Sequence, residues 1–210
     1  MAQLFALHPT HPQARLAREA ANFIDAGGVI AYPTDSSYAL GCALGQADAA
    51  ARIREIRGVD EHHHLTLILR DLAALGPFTR LDTWQFRIVR QGVPGPFTFI
   101  LPATREVPRR LQHPKRRTIG VRVPDHPVVR ALLDALAAPI LSATLTLPGD
   151  DAPMNDAQAI RERLGRRVDA VIDAGACPAA PTTVVDLAGE SPVITRFGRG
   201  DPARLGLSIE

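Results

Sequence analysis

Two hydrophobic periods alternate along this chain, and that alternation limits the folds open to it. Short apolar runs rich in β-branched residues are separated by longer stretches in which apolar residues recur every three or four positions. The first pattern is that of a buried strand and the second that of an amphipathic helix. A chain that keeps switching between them builds an α/β or mixed α+β layered fold rather than a bundle or a sandwich. Strands are predicted over residues 29–32, 65–69, 97–101, 118–123, 140–143, 168–172, 182–187 and 193–196. They form a sheet of seven or more strands with helices packed on it. Helices are predicted over 12–26, after an Asp48 cap around Ile53 and Ile56, over 82–91 around Trp84, over 127–137, and from an Asn155 cap to about Leu164. Pro12 suits a first helical position and Gly27-Gly28 an exit, with Leu16, Ala20, Phe23 and Ile24 facing inward. Val128, Leu132, Leu133 and Leu136 do the same for the fourth helix.

The alternation runs from end to end without a linker or repeat, so one domain over 1–210, with its core at about 12–200, is expected for this length. With 46% hydrophobic and 22% charged residues, extensive disorder is excluded. The N-terminus lacks a basic leader region, and no stretch reaches the ~18 apolar residues of a membrane span. Cys42 and Cys177 lie far apart, without metal-ligand spacing. A reducing, cytoplasmic setting is the expectation. Lys115 is the single lysine among 24 basic residues. A GC-rich coding sequence accounts for such a bias, and so does a need for arginine's rigid fork at carboxylates and phosphates.

Polar residues at strand ends are the chemical candidates. Thr34-Asp35-Ser36-Ser37 follows a buried strand directly, either to present donors and acceptors to a small ligand or as an ordinary Asx or ST turn. Pro94-Gly95-Pro96 reads as a rigid turn into the next strand. Arg122 interrupts an apolar strand, and a buried arginine needs a partner, so it pairs with an internal acid or awaits an anionic ligand. Ser142 and Thr144 alternate onto one face, as do Thr182 and its neighbours, while Arg57, Arg70 and Arg196 sit near element ends. Consecutive His62, His63 and His64 cannot converge on one ion; a surface loop without metal is expected. No GxSxG elbow, Walker A loop or GxGxxG fingerprint occurs, and Cys42 has no activating partner in the sequence. Arg105, Arg109, Arg110, Lys115, Arg116, Arg117 and Arg122 lie within 18 positions that hold one acid, Glu106. The cluster suits the phosphates of nucleic acid or a solvated basic loop.

In order along the chain, these stretches resemble the YrdC-like superfamily of threonylcarbamoyl-AMP synthases, and within it the YciO branch. They are residues 28–36, 38–41, Pro94-Gly95-Pro96 with Thr98, 120–124 with His126-Pro127, Ser142-Ala143, 183–186, and Arg196 with Gly198. The resemblance implies a single twisted open sheet with a concave basic cavity. It implies that L-threonine, bicarbonate and ATP (with Mg2+) give threonylcarbamoyl-AMP and pyrophosphate, on the way to a modified adenosine in tRNA. No protein nucleophile is then needed. By resemblance, Thr34, Ser36, Arg70, Arg122, Ser142 and Thr182 hold threonine. Arg57, Thr118, Thr144 and Arg196 face the nucleotide, and Arg57 stabilises phosphate charge. The chain departs from the synthases at Glu55, where they carry lysine, and at Thr144, where they carry asparagine. An acid at a phosphate site would reverse a Coulomb contribution of roughly 4 kcal/mol, which implies weak or redirected activity. Two other functions are open: a non-catalytic protein that binds double-stranded RNA or tRNA through residues 105–117 and acts in translation or ribosome assembly, and a hydrolase of an acyl or carbamoyl adenylate.

Overall fold

The computed structural model describes residues 1–61 and 63–207. Among them the order is β1 (Gln3–Ala6), α1 (Ala14–Asp25), β2 (Ile30–Pro33), β3 (Tyr38–Ala43), α2 (Ala47–Arg57), β4 (Thr66–Ile68), α3 (Thr83–Gly92), β5 (Phe97–Pro102), β6 (Thr118–Arg122), α4 (Pro127–Leu136), β7 (Ile140–Thr144), α5 (Ala157–Leu164), β8 (Ala170–Asp173), β9 (Thr183–Asp186) and β10 (Val193–Arg196). Helix starts follow local chemistry. Asp82 and Gln85 form a capping box on α3, Pro127 opens α4 behind His126, and the Asp156 carboxylate accepts from the Ala159 amide at 2.8 Å on α5.

All ten strands join one mixed, unclosed sheet in the order β1-β8-β2-β3-β7-β4-β6-β5-β9-β10. Strand side chains alternate between faces, and two apolar clusters result. On one face Ile30, Tyr32, Ala39, Ile68, Ile140 and Ile172 pack under α1 and α4, against Ala20, Ile24, Val128 and Leu132. On the other, Ala31, Leu40, Leu67, Phe99, Val121 and Leu141 pack with Ile53 and Ile56 of α2 and Ile160 of α5. The α1/α4 pair covers only part of its face. Beyond it the same strands present Ser142, Thr66, Gly120 and Ile100 in one register row, and this stretch becomes the floor of a cavity.

Several sequence expectations shift. Helix α1 starts at Ala14 behind Gln13, with Pro12 outside it, and Leu16 and Phe23 are only partly buried. Asp48 sits inside the first turn of α2 rather than capping it, and Asp156, not Asn155, caps α5. Strands β1 and β3 were not expected. Strand β3 reads Tyr-Ala-Leu-Gly-Cys-Ala, poor in β-branched residues, yet it pairs on both sides. Its small residues are required there: a Cβ on Gly41 would lie 2.7 Å from the Tyr32 ring and 2.7 Å from Ile140.

Candidate active site

The cavity has a volume of about 440 Å³. Of the residues the sequence singled out, it brings together Arg57, Thr118, Arg122, Ser142, Thr144, Thr182 and Arg196, and adds Arg116 from the basic segment. Strands β6 and β7 supply Thr118, Arg122, Ser142 and Thr144, all from alternate positions of one face. Arg57 comes from the last residue of α2 and Arg196 from the end of β10.

Arg122 resolves toward an internal acid. Its Nη2 donates to the Asp35 carboxylate and, at 3.3 Å, to Thr34 Oγ1. The pair is deeply placed, with side chains 7% and 12% exposed. Asp35 also accepts the Asp125 amide at 3.1 Å. Arg122 is therefore both neutralised and fixed in direction, while its Nε stays buried with no hydrogen-bond partner among the described residues. Thr34 is spent on the turn: its hydroxyl donates to the Ser37 carbonyl at 2.7 Å and accepts from the Ser36 and Ser37 amides. Thr34 and Ser36 are buried beside the cavity rather than on its lining. The segment is an ST turn that also delivers a carboxylate to Arg122.

Hydrogen-bond direction can be read at Ser142. Its hydroxyl donates to the Leu40 carbonyl at 2.9 Å, so the Tyr32 hydroxyl, 2.7 Å away, must be the donor to it. Tyr32 holds its proton firmly, because burial pushes its pKa up to about 12. Ser142 thus faces the cavity as an acceptor only. On the opposite wall Arg196 donates to Thr182 through its backbone carbonyl and its Oγ1, both at 3.0 Å, and Thr98 Oγ1 lies 2.8 Å from Thr182 Oγ1.

Arg57 and Arg196 have no carboxylate partner among the described residues. Burial lowers the pKa of both; Arg196 lowers Arg57 further, and Arg122 lowers Arg196. Arg57 Nη1 meets His63 Nε2 at 2.5 Å, and Arg54 Nε donates to the His63 carbonyl at 3.2 Å. Burial first, then Arg57 and Arg54, lower the His63 pKa to about 4. The ring is neutral near pH 7, and its Nε2 accepts a hydrogen bond from the Arg57 guanidinium. The histidine run is therefore not a detached surface loop. His63 and His64 line the cavity, where the His64 ring lies tilted against His113 with ring centres 5.0 Å apart, and His62 lies outside the described residues. His63, His113, Thr66, Thr98 and Asp151 are lining residues that sequence reasoning missed. Among the described residues, no group of three or more His, Cys, Asp or Glu side chains is placed to hold a metal ion.

Three expectations need correction. Arg70 does not reach the cavity: β4 ends at Ile68, and Arg70 projects outward to Asp134 at 2.6 Å. Glu55 points away from the cavity and is 77% exposed, with Arg167 3.2 Å away, so its carboxylate is not on the lining. Arg116 forms a two-pronged pair with Asp186 at 2.6 and 2.8 Å instead of standing open for nucleic acid. Burial would raise the Asp186 carboxyl, but the Arg116 fork and the Ala188 amide outweigh it and the net shift is downward. Of the other basic residues, Arg105 and Lys115 are exposed, Arg110 donates to the Gly45 carbonyl, and Arg109, Arg110 and Arg117 border a second cleft. Cys42 is no nucleophile, since burial pushes its thiol up to about 12. Among the described residues no helix is long and apolar enough to cross a membrane.

Known proteins resemble this chain in sequence and in fold. The Sua5–YciO–YrdC family model, described as telomere recombination, matches residues 22–198. YciO of Escherichia coli K12 is 46% identical over 201 residues, covering 96% of this chain and 98% of that protein. The E. coli YciO crystal structure superposes with a TM-score of 0.93 over 98% of this chain and all of that one, at 45% identity. A threonylcarbamoyl-AMP synthase of Halorhodospira halophila is 34% identical over 156 residues, 74% of this chain and 81% of that protein. Sua5 of P. abyssi, crystallised with L-threonine, superposes with a TM-score of 0.84 at 25% identity, over 93% of this chain and 57% of that one. With the ten-stranded open sheet and the arginine-lined cavity, these matches establish that the chain belongs to the Sua5–YciO–YrdC family.

Proposed function

We propose that the cavity binds an adenine nucleotide by its phosphates, next to a small amino acid or its carbamate, and that the protein forms threonylcarbamoyl-AMP or a related carbamoyl adenylate weakly or from a different amine. The observation that carries this reading is the charge arrangement. Arg57 and Arg196 face one cavity with no carboxylate of their own, while Arg122 beside them is matched by Asp35. Two unmatched, partly buried guanidiniums repel each other and gain most when an anion enters between them. The synthase relatives and the threonine complex of Sua5 make a nucleotide and an amino acid the natural pair to test.

The chemistry asks for no protein nucleophile. A carbamate oxygen attacks the α-phosphorus of ATP, a new P–O bond forms, and the bond to the bridging β-phosphate oxygen breaks, with pyrophosphate taking the electron pair. The protein supplies orientation and charge compensation. Arg57 and Arg196 offset charge on the phosphoryl oxygens. Ser142, able only to accept, suits an N–H of the amino acid or carbamate rather than a phosphate oxygen. Thr144 offers one hydroxyl where the synthases carry an amide, and this is the change expected to redirect the substrate. Glu55 leaves the phosphate region without a lysine but adds no repulsion. Asp151 is the one carboxylate on the lining among the described residues, so a divalent cation fits as a partner of the ATP phosphates and water rather than in a protein cage.

A thermal-shift series with AMP, ATP and threonine, alone and combined, tests the reading, because a ligand of the folded state raises Tm. AMP and ATP are expected to raise Tm, and threonine with ATP to raise it further. Incubation with threonine, bicarbonate and ATP is expected to release pyrophosphate slowly. No Tm response to any nucleotide would overturn the binding claim. No product from threonine or other amino acids at high protein concentration would overturn the catalytic one.

A further inference from the structure

Next to the main cavity lies a cleft of about 490 Å³ bordered by Arg54, Arg109, Arg110 and Arg117. Its floor includes Ala47 and Ala50, which share one face of α2 with Arg54 at positions i, i+3 and i+7. Two alanines there leave room that longer side chains would fill. Glu61 is the one acid on its border among the described residues, and none of the four arginines is ion-paired with a carboxylate among them. Arg110 is anchored by its donation to the Gly45 carbonyl and Arg54 by its donation to the His63 carbonyl. Two guanidiniums are thus held in place by single bonds, with donors left over.

A second, independent observation is the backbone of Arg117. It stands at φ +54°, a left-handed conformation that non-glycine residues adopt rarely. The strain is locked in, since its amide donates to the His113 carbonyl at 2.9 Å and its carbonyl accepts from the Ala103 amide at 2.8 Å. Strain of this kind clusters at ligand sites. Here it puts a fourth arginine on the border of the cleft. His64 lines both the cleft and the main cavity, so the two are neighbours.

We propose that this cleft is a second anion site that takes a short run of phosphate groups, using Arg54, Arg109, Arg110 and Arg117. A cleft of this size bordered by four arginines admits pyrophosphate or a triphosphate tail, whereas a nucleic acid duplex is too wide to enter it. The phosphates have two sources: the tail of a nucleotide seated in the main cavity and reaching past His64, or free inorganic oligophosphate.

The test is calorimetric titration of the full chain with inorganic pyrophosphate, AMP and ATP at fixed low salt. It compares wild type, Arg109→Ala/Arg117→Gly and Arg196→Gln. Glycine is chosen at 117 because it accepts the positive φ, so the unliganded Tm should not fall through the backbone at that position. The double variant is expected to bind pyrophosphate at least tenfold more weakly and AMP as wild type does. Arg196→Gln is expected to do the reverse. Loss of ATP but not AMP affinity in the double variant assigns the cleft to the nucleotide tail, whereas loss for pyrophosphate alone assigns it to free oligophosphate. Unchanged pyrophosphate binding in the double variant, loss of it in Arg196→Gln instead, or no pyrophosphate binding by wild type would overturn the proposal. Because pyrophosphate is titrated without nucleotide, failure of AMP to bind would sink the nucleotide reading and leave this one standing.

Discussion

One face of the sheet carries two regions of opposite character, built from the same strands. Under α1 and α4 it presents Ile30, Ile68 and Ile140 and is dry. A few residues along, the same strands present Thr66 and Ser142 and border the cavity. Period-two alternation makes this economical. Ile140, Ser142 and Thr144 point the same way, so two steps along β7 pass from core to site. The boundary is made by Tyr32, whose ring packs in the apolar half while its hydroxyl orders Ser142 in the polar half. Asp35 and Arg122 form a second boundary, a charged pair sunk almost as deeply as the core. The difference between the halves lies in what covers them: helices over one, and arginines and histidines around the other.

Breaking the charged boundary should have the largest effect. Asp35→Ala leaves Arg122 buried without its partner and is expected to cost about 3 kcal/mol in stability, read by urea denaturation. Asp35→Ala with Arg122→Met should recover much of that loss. A loss below about 1 kcal/mol in the single variant would mean that the pair is solvated. Tyr32→Phe is the gentler cut. It removes one buried hydrogen bond, expected to cost about 1 kcal/mol, and frees the Ser142 lone pair that Tyr32 occupies, while the Ser142 proton stays on the Leu40 carbonyl. Ligand selectivity should therefore change more than the Tm. Equal losses for all ligands would reduce Tyr32 to packing.

Acid should weaken the polar half before the dry one. His63 and His126 both have pKa values lowered by burial, His63 to about 4. The unfolded chain then binds more protons than the folded one from near pH 6.5 downward. Stability should fall as pH drops from about 6.5 toward 4, and His63→Gln should flatten part of that slope. A slope unchanged by His63→Gln would contradict the Arg57–His63 contact. The smallest effect belongs to Glu55, outside both halves. Glu55→Ala should change stability by no more than about 0.5 kcal/mol, as for other exposed pairs, and leave AMP affinity within about twofold. A large gain in AMP affinity would put the residue back at the phosphates.

Much of this arrangement was legible in the sequence, because it depends on local periods. Strands β6 and β7 show their alternation openly, and Thr118, Arg122, Ser142 and Thr144 fall together as a result. What was not legible depends on partners distant in the chain. Strand β3 looks too small to be a strand until Tyr32 and Ile140 are seen to need the space over Gly41. Arg122 and Asp35 are 87 positions apart, so no local pattern could decide whether the arginine was already matched. Arg70 and Glu55 have the right residue types or family positions but the wrong direction. Outward projection past the end of β4, and the outer face of α2, take them away from the cavity. His63 was hidden by its neighbours, since a histidine run reads as a solvated loop unless its proximity to Arg57 is known.

On the proposed reading, Arg57 and Arg196 form the anion-binding pair of the cavity. Calorimetric titration with AMP, on wild type and on the Arg57→Gln and Arg196→Gln variants, tests it most directly, with the unliganded Tm as the folding control. Charge-assisted hydrogen bonds of this kind are each worth about 1.5–3 kcal/mol, so each variant should bind AMP at least tenfold more weakly while remaining folded. AMP affinity that is unchanged in both variants, or absent in wild type, would show that the two guanidiniums do not hold the anion.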